Sequence, residues 1–414
     1  MLLVVMLFGM ATALLVYGMV DTSSLVLRRD KDTAAVFANV KQALIGWSVQ
    51  RTSSGALPNA RPGELPCPDM NNDGFEDGNC AAGALGRVPW KTLGIPEPKD
   101  GAGETLWYAI AGPFRIWGVN NNPVNSDTKG NLAVYQDSMA SAVTTQAIAV
   151  LFAPGVAQGA QNRDTVATAP CLTTGTTIAR NLCADNYLET AATVNNSTTN
   201  GPFISALSSD TFNDKLMVIT TADLMPVVEQ RVARELRTIL QAYKDNTACA
   251  CTNLGGTPGC YPWADLSNGY SDSDPYNAGE GRNRGRIPAL GAGPYDWGAN
   301  PCGTAVPTLP TWFVNNDWRL VVYYSAGRNF LGPGACTTCV SSTLRVDGVA
   351  GKEAIILMPG PLLGTPPRAP VPTDDLTYWQ YYFEDPENQD NGNDLLVTPS
   401  STAYARDRLY IIRP

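Results

Sequence analysis

The pattern of apolar residues changes character within the first 50 positions of the chain. Residues 1–20 are apolar and uncharged, and 20 helical residues at about 1.5 Å each would span the roughly 30 Å hydrocarbon core of a membrane. From there to about residue 50, apolar residues recur at helical spacing, which predicts an amphipathic continuation. These residues are Val36, Val40, Leu44 and Trp47. The sequence therefore predicts one long helix over 1–50, with 1–22 in a membrane or in a bundle of like helices.

A secretory signal peptide is the alternative interpretation of this apolar segment. No basic region precedes it and no small-x-small cleavage motif closes it, which argues against that interpretation. Arg28, Arg29 and Lys31 follow the segment, so the charge rule for membrane insertion would orient it backwards. A short basic leader removed before residue 1 would explain both observations.

The rest of the chain contains an internal repeat, because six blocks recur in the same order. The first block is the helical quartet, whose spacing is repeated at Val232, Leu236, Leu240 and Tyr243. The other five pairs are 86–89 with 285–288, 106–112 with 321–327, 149–155 with 354–360, 187–189 with 382–384, and 213–220 with 406–413. The repeat predicts a boundary near residue 222.

Each repeat reads as a helix, a loop rich in Cys, Gly and Pro, and several short apolar strands, which is typical of α+β architecture. The second helix, from about Asp223 to Lys244, is charged from end to end and cannot cross a membrane. The predicted fold is α+β: a long N-terminal hydrophobic helix, 1–50, followed by two heads, 51–222 and 223–414, each a helix packed on an antiparallel sheet.

An apolar helix that continues into an amphipathic half before a β-rich head resembles the mature type IV pilins and the type II secretion pseudopilins. The GR-[VI]-P blocks, the aromatic strand and the APG-type blocks also resemble large pilin-like proteins of Gram-negative bacteria. Val5 departs from the family, which usually has Glu at this position, thought to pair with the neighbouring subunit's N-terminus. Family members that lack this Glu include subunits at filament tips.

The resemblance implies two pilin-like heads and polymerisation through the N-terminal helix, where Met1, Leu7 and Leu14 are the predicted assembly residues. It implies a subunit inserted in the inner membrane before assembly and then part of an extracellular filament on the bacterial cell surface. The expected partners are copies of the same chain or other pilins. The alternative function is a membrane-anchored surface adhesin, or a minor or tip pilin, that binds a glycan or a protein partner.

Charge and composition exclude several other functions. The net charge of −9 argues against nucleic acid as a partner, since no excess of basic residues is available to displace counterions from phosphates. The chain has no histidine, so it lacks the commonest general base and the usual haem ligand. No nucleotide-binding fingerprint and no catalytic motif is present. We therefore expect no enzyme activity, no catalytic residues, no haem and no nucleotide.

Ten cysteines, all after residue 66, indicate disulfides if the chain is exported. In the first head the predicted pairs are Cys67 with Cys80 and Cys171 with Cys183, because each closes a loop of about a dozen residues. The pairing of the six cysteines in the second head stays open.

The segment between Cys67 and Cys80 fits the D-x-N-x-D-G-x-x-D pattern of calcium loops. The predicted ligands are the side chains of Asp69, Asn71, Asp73 and Asp77 and the backbone carbonyl of Phe75. Cys80 stands where an EF-hand has its bidentate Glu, so the full pattern fails. The alternative is an acidic, Asn/Gly-rich turn that binds nothing.

Overall fold

The structure is a computed structural model of the 414-residue chain. It describes residues 2–53, 59–78, 80, 83–115, 123–246, 253, 256–264, 283–287, 307–331, 343–361, 382–383, 385–389, 395–398 and 407–413, with the side chains of α1 described from residue 24 onward. The helices are α1 (Leu2–Gln50), α2 (Trp90–Leu93), α3 (Thr221–Lys244), α4 (Thr311–Asn315) and α5 (Pro386–Gln389).

The strands are short and separated by Gly- and Pro-rich turns. They are β1 (Ala84–Arg87), β2 (Trp107–Ile110), β3 (Leu132–Gln136), β4 (Ser138–Ala147), β5 (Ala149–Ala153), β6 (Thr168–Pro170), β7 (Thr177–Ala179), β8 (Thr190–Ala191), β9 (Val194–Asn195), β10 (Phe203–Ser205), β11 (Lys215–Ile219), β12 (Arg284–Arg286), β13 (Tyr323–Ala326), β14 (Leu344–Val346), β15 (Val349–Lys352), β16 (Ala354–Met358), β17 (Leu395–Leu396) and β18 (Arg408–Arg413).

The chain divides into two compact units. Unit 1 comprises 1–48, 65–116 and 129–220, and unit 2 comprises 49–64, 117–128 and 221–414. The four-stranded sheet of unit 1 has the order β1-β2-β5-β11, and that of unit 2 has the order β12-β13-β16-β18. All neighbouring strands in both sheets are antiparallel. The four-stranded sheets of the two units therefore have corresponding strand orders.

Each unit also contains a three-stranded sheet, and here too the orders correspond. Strand β3 pairs antiparallel with β4 and parallel with β10. In unit 2, β14 pairs antiparallel with β15 and parallel with β17. Two smaller two-stranded sheets, β6-β7 and β8-β9, belong to unit 1.

The core of unit 1 lies between its four-stranded and three-stranded sheets. Trp107 and Phe152 from the first sheet pack with Val134 and Phe203 from the second, together with Tyr187. Strands β1, β2 and β5 are buried along their whole length, which explains why β2 and β5 read as continuous apolar runs. In unit 2 the corresponding cluster includes Tyr323, Leu357, Val346, Leu396 and Tyr382.

A hydrogen-bonded asparagine connects the sheets within each unit. In unit 1, Nδ2 of the fully buried Asn196 donates to the backbone carbonyl of Ile204 (3.0 Å) and to Oδ2 of Asp214 (2.8 Å), while the Ile204 N–H donates to Oδ1 of Asn196 (2.8 Å). In unit 2, Asn388 makes the same three bonds with Val397 and Asp407, each 3.0 Å. The network ties the short parallel strand to the start of the last strand.

Helix α1 packs on unit 1 through one face only. Phe37, Val40 and Leu44 are buried. Thr33 accepts a bond from the backbone N–H of Gly101 through Oγ1 (2.9 Å), and Asp30 pairs with Lys215 of β11. In unit 2, α3 packs on β16 and β18 with Val232, Leu236 and Leu240 buried. Both helices are therefore amphipathic where their side chains are described.

The predicted fold class is wrong in its helix and in its sheets. Across the described residues no helix is both long and apolar enough to cross a membrane. In residues 24–50 a cluster of charges runs from Arg28 to Asp32, and α3 is charged throughout. The single antiparallel sheet predicted for each head is replaced by several small sheets, because turns interrupt the chain before longer strands can form.

Candidate functional site

The acidic loop 69–77 folds over the edge of the four-stranded sheet of unit 1. Asp69 and Arg87 exchange two backbone hydrogen bonds (2.9 and 2.7 Å), which dock the loop on β1. A Cβ on Gly86 would lie 2.6 Å from the carbonyl oxygen of Asp69, so only glycine permits this approach. The glycine of the repeated GR-[VI]-P motif therefore has a packing function here.

Within the loop the predicted ligand side chains fold onto the loop's own backbone. Oδ1 of Asp69 accepts from the backbone N–H groups of Asn72 (2.6 Å), Asn71 and Asp73 (both 3.2 Å), and Oδ2 accepts from that of Gly74 (2.7 Å). Asp77 accepts from the backbone of Met70 (2.7 Å) and from Nδ2 of Asn71 (3.1 Å). The structure thus brings Asp69, Asn71 and Asp77 into one hydrogen-bonded loop.

Asp73 and Phe75 lie on the outer side of the same loop. Oδ1 of Asp73 accepts from the backbone N–H of Phe75 (2.8 Å), and the ammonium group of Lys91 contacts the carbonyl oxygen of Asp73 and the ring of Phe75. Gly74 has φ +88°, the sharp turn that the calcium pattern requires at its sixth position. Among the described residues, no three His, Cys, Asp or Glu side chains are grouped as a metal site. Calcium binding stays a prediction.

Burial is the main electrostatic influence on Asp69. The residue is 1% exposed, and desolvation raises the pKa of its carboxyl above the usual range, against the lowering effect of the bonds from Gly74 and Asn72. The carboxylate is therefore a structural acceptor that holds the loop closed.

Two cysteine pairs of unit 1 stand at disulfide distance. Cys67 and Cys80 enclose the acidic loop with sulfurs 2.10 Å apart, and Cys171 and Cys183 are 1.95 Å apart. The second pair closes the hairpin formed by β6 and β7. These are the two pairs expected from their spacing in the sequence.

A cavity of about 210 Å³ lies inside unit 1 between the acidic loop, β1 and this hairpin. Leu85, Arg87 and Trp107 line it from the four-stranded sheet, and Asp69 and Asn72 line it from the loop. Its opposite wall carries the Cys171–Cys183 pair and several hydroxyl groups. The cavity could not be predicted from the sequence, since its walls come from two separate segments, 69–107 and 171–199.

The hydroxyl wall of the cavity is organised by Asp185. Its carboxylate accepts from the backbone N–H of Thr173 (3.0 Å), from Oγ1 of Thr173 and from Oγ of Ser197 (2.8 Å). Oδ1 of Asn195 (2.7 Å) is the alternative acceptor for the single hydroxyl hydrogen of Ser197. The signal in the sequence is the Thr-rich segment 172–177 beside Cys171.

The guanidinium of Arg87 is held inside unit 1 by two rings. Its Cζ lies 5.1 Å from the ring centre of Trp107 and 4.6 Å from that of Tyr187, and Nη2 donates to the carbonyl of Asn181 (3.0 Å). Within the described structure, Nε of Arg87 and Nε1 of Trp107 have no hydrogen-bond acceptor. Both residues are at least nine-tenths buried and both line the cavity.

Two further surfaces of unit 1 expose apolar side chains. On α1, Leu25, Val26 and Leu27 are 51%, 56% and 69% exposed. The ten-residue strand β4 lies at the edge of its sheet in the described structure, contains no charged residue and exposes Met139 and Val143. The predicted assembly residues Met1, Leu7 and Leu14 lie outside the residues whose side chains are described.

No protein-family model matches the sequence, and neither a curated protein nor a solved structure matches it. The resemblance to pilins and pseudopilins therefore stays a prediction from the sequence.

Proposed function

We propose that the protein is a structural subunit of an extracellular, type IV pilus-like filament, in which copies pack against one another along α1. The single observation that supports this most directly is the exposure of Leu25, Val26 and Leu27 on that helix. An ordinary surface helix of a monomer buries its large apolar residues on one face.

The arrangement of these three residues favours a bundle over a simple pair of helices. Consecutive helical positions are about 100° apart, so Leu25, Val26 and Leu27 together cover roughly 200° of the circumference. One neighbouring helix would cover only part of that surface, whereas several neighbours around α1 would cover all of it. A filament core surrounds each helix in this way.

The anchoring of α1 to unit 1 agrees with this function. Asp30 and Thr33 bond to the body of the unit, and the buried face begins at Thr33. The side chains from Ser24 to Asp32 are exposed. In our proposal this exposed part of the helix joins the subunits while the disulfide-closed part of the unit faces the medium.

Electron microscopy of material sheared from cells that express the full chain tests the proposal. We expect regular fibres from the natural chain and none from the double variant Leu25→Asp, Leu27→Asp, whose charges would be desolvated in the bundle. The matched control is Leu207→Asp, which places the same charge at a position 84% exposed elsewhere on unit 1. Circular dichroism of each variant verifies folding.

Two outcomes would contradict the proposal: absence of fibres from the natural chain, or fibres from the double variant at the natural yield. Loss of fibres from the Leu207→Asp control would show that assembly is sensitive to any added charge, and would remove α1 as its explanation. A surface-binding function is the second candidate, because the cavity of unit 1 is lined by two buried residues, Arg87 and Trp107, with donors that have no acceptor among the described residues.

A further inference from the structure

The cavity of unit 1 is lined by groups that both donate and accept hydrogen bonds. Five hydroxyl side chains line it: Thr173, Thr174, Thr176, Ser197 and Thr199. Asp185 adds a carboxylate, while Leu85, Ile178 and Leu182 add apolar surface. A ligand that matches this wall must itself carry several hydroxyl groups next to an apolar face.

The opposite side of the cavity supplies donors that need an acceptor. Nε of Arg87 and Nε1 of Trp107 are buried and lack an acceptor within the described residues, and leaving a buried donor unpaired costs about 1–3 kcal/mol. Arg87 cannot turn away easily, because its guanidinium is packed against Trp107 and Tyr187. A ligand oxygen in the cavity would satisfy these donors.

Charge on the walls selects against ionised ligands. An anion that approaches Arg87 also meets the carboxylate of Asp185, and a cation that approaches Asp185 also meets the guanidinium of Arg87. Bringing like charges together in a partly desolvated site is unfavourable. A neutral ligand avoids both penalties and still uses every donor and acceptor.

The volume sets the size of the ligand. At about 210 Å³ the cavity is smaller than the roughly 300–1,000 Å³ of pockets that hold drug-sized molecules. One sugar ring is of the appropriate size, while a peptide segment or a dinucleotide is too large. The wall is also fixed in place, since the Cys171–Cys183 pair closes the hairpin that carries Thr173 and Thr176.

We propose that this cavity binds one uncharged sugar ring, such as the end of a glycan. Asp185, Thr173 and Ser197 bind its hydroxyl groups, Arg87 and Trp107 donate to its oxygens, and Leu85 and Ile178 contact its apolar face. The inference is independent of the filament proposal, because it uses unit 1 alone.

Saturation-transfer NMR on the full chain tests this, with glucose, galactose, mannose, fucose, N-acetylglucosamine and N-acetylgalactosamine as neutral probes and sialic acid as the charged probe. We expect transfer to at least one neutral sugar and a weaker signal for sialic acid. Thr173→Val and Asp185→Asn should each weaken binding of that sugar about tenfold, because each replaces a hydrogen-bonding group while the shape of the side chain stays similar.

The control variant is Thr238→Val, which removes an exposed hydroxyl from α3 and does not touch the cavity. It should leave the affinity unchanged, and near-UV circular dichroism verifies the folding of all three variants. The inference is overturned if no neutral probe binds, if sialic acid binds more tightly than the neutral probes, or if folded Thr173→Val and Asp185→Asn bind as the natural chain does. Filament assembly by the same variants is expected to be normal, which separates this result from the test of assembly.

Discussion

The interiors of units 1 and 2 are similar, and their surfaces differ. In each unit a tyrosine hydroxyl donates a hydrogen bond to a proline carbonyl: Tyr108 to Pro66 (3.1 Å) and Tyr324 to Pro262 (3.2 Å). The two tyrosines lie in equivalent strands, β2 and β13, of the two four-stranded sheets. The ring pairs also correspond: Trp107 lies 5.3 Å from Tyr187, and Tyr323 lies 5.5 Å from Tyr382. Bonds of this kind are costly to lose, so a duplicated fold retains them.

The edge strands show the divergence. Strand β4 of unit 1 has ten residues and no charge, whereas its counterpart β15 in unit 2 has four residues and ends with Lys352. Short strands and lysine are the usual protection of a sheet edge against pairing with another chain. Unit 2 is thus protected at a position where unit 1 offers a long uncharged edge. The two edge strands therefore differ in length and in charge, while the strand order of the two sheets is the same.

The strongest way to break this comparison is to remove the buried asparagine from each unit. Asn196→Ala leaves the N–H and the carbonyl of Ile204 without this partner, while Oδ2 of Asp214 retains its bond from the Glu189 N–H. Asn388→Ala does the same to Val397 in unit 2, where Asp407 retains its bond from the Asp385 N–H. At about 1–3 kcal/mol for each unsatisfied buried group, we expect a loss of about 2 kcal/mol or more in either unit. Hydrogen–deuterium exchange should show faster exchange in β10 for the first variant and in β17 for the second.

Asn39→Ala on the exposed face of α1 is the matched control, and we expect a change within about 0.5 kcal/mol. A loss in one unit without a similar loss in the other would show that the two networks are not equivalent.

A second experiment concerns the acid–base behaviour of the buried Asp214 in unit 1. Burial, followed by the nearby negative charge of Glu189, raises the pKa of Asp214 well above its ordinary value of 3.8. The folded state therefore holds this proton more tightly than the unfolded state. Its contribution to stability is fully present below about pH 3.8 and is lost as the pH rises through the folded pKa, at about 1.4 kcal/mol for each pKa unit of the shift.

Asp214→Asn should flatten this pH dependence in urea titrations and raise the stability at neutral pH, since a neutral amide can bond to both Glu189 and Asn196. The exposed Asp210→Asn serves as the control. An unchanged slope with pH in Asp214→Asn would contradict the assignment of the proton to this pair.

The acidic loop provides a third test, which concerns unit 1. If the loop binds calcium, the ion at ten times its dissociation constant should stabilise unit 1 by about 1.4 kcal/mol. The expected result is a higher melting temperature after addition of calcium to metal-stripped protein, and loss of that gain in Asp73→Ala. Asp137→Ala, outside the loop, should retain the gain. Equal melting temperatures with calcium and with chelator would contradict calcium binding and support the alternative of an acidic turn that binds nothing.

The smallest expected effect concerns the tyrosine bonds. Tyr108→Phe and Tyr324→Phe each remove one buried hydrogen bond and retain the ring, which should cost about 1 kcal/mol in urea denaturation. Equal losses would support the equivalence of the two sheets. Tyr135→Phe, on the partly exposed β3, is the control and should change stability less.

The strands were easier to predict from the sequence than the site. Blocks 86–89, 106–112, 149–155 and 213–220 each contain all or part of a strand of the four-stranded sheet. Strands β2 and β5 read as apolar runs because both of their faces are covered. The cavity could not be predicted, since Arg87, Trp107 and Asp185 lie far apart in the chain. Residues 1–20 were predicted to span a membrane because they carry no charge, but no helix of the described residues is long and apolar enough to do so.

The asparagine network was less predictable than the strands and more predictable than the cavity. A polar residue in a loop has no periodicity, so Asn196 was not predicted. Its aspartate partners could have been predicted, because Asp214 and Asp407 occupy the same position of the matched blocks 213–220 and 406–413. An acidic residue that recurs directly before a repeated strand is a signal for a repeated buried hydrogen bond.

The disulfide-closed hairpin of unit 1 also determines how the protein responds to proteolysis. Leu172 is 93% exposed inside the loop that Cys171 and Cys183 close. An endopeptidase that cleaves after large apolar residues would nick the chain there, but the fragments would stay covalently joined. Such a nick would be invisible on a non-reducing gel and would yield two bands only after reduction, so a preparation can contain cut molecules that run as intact ones.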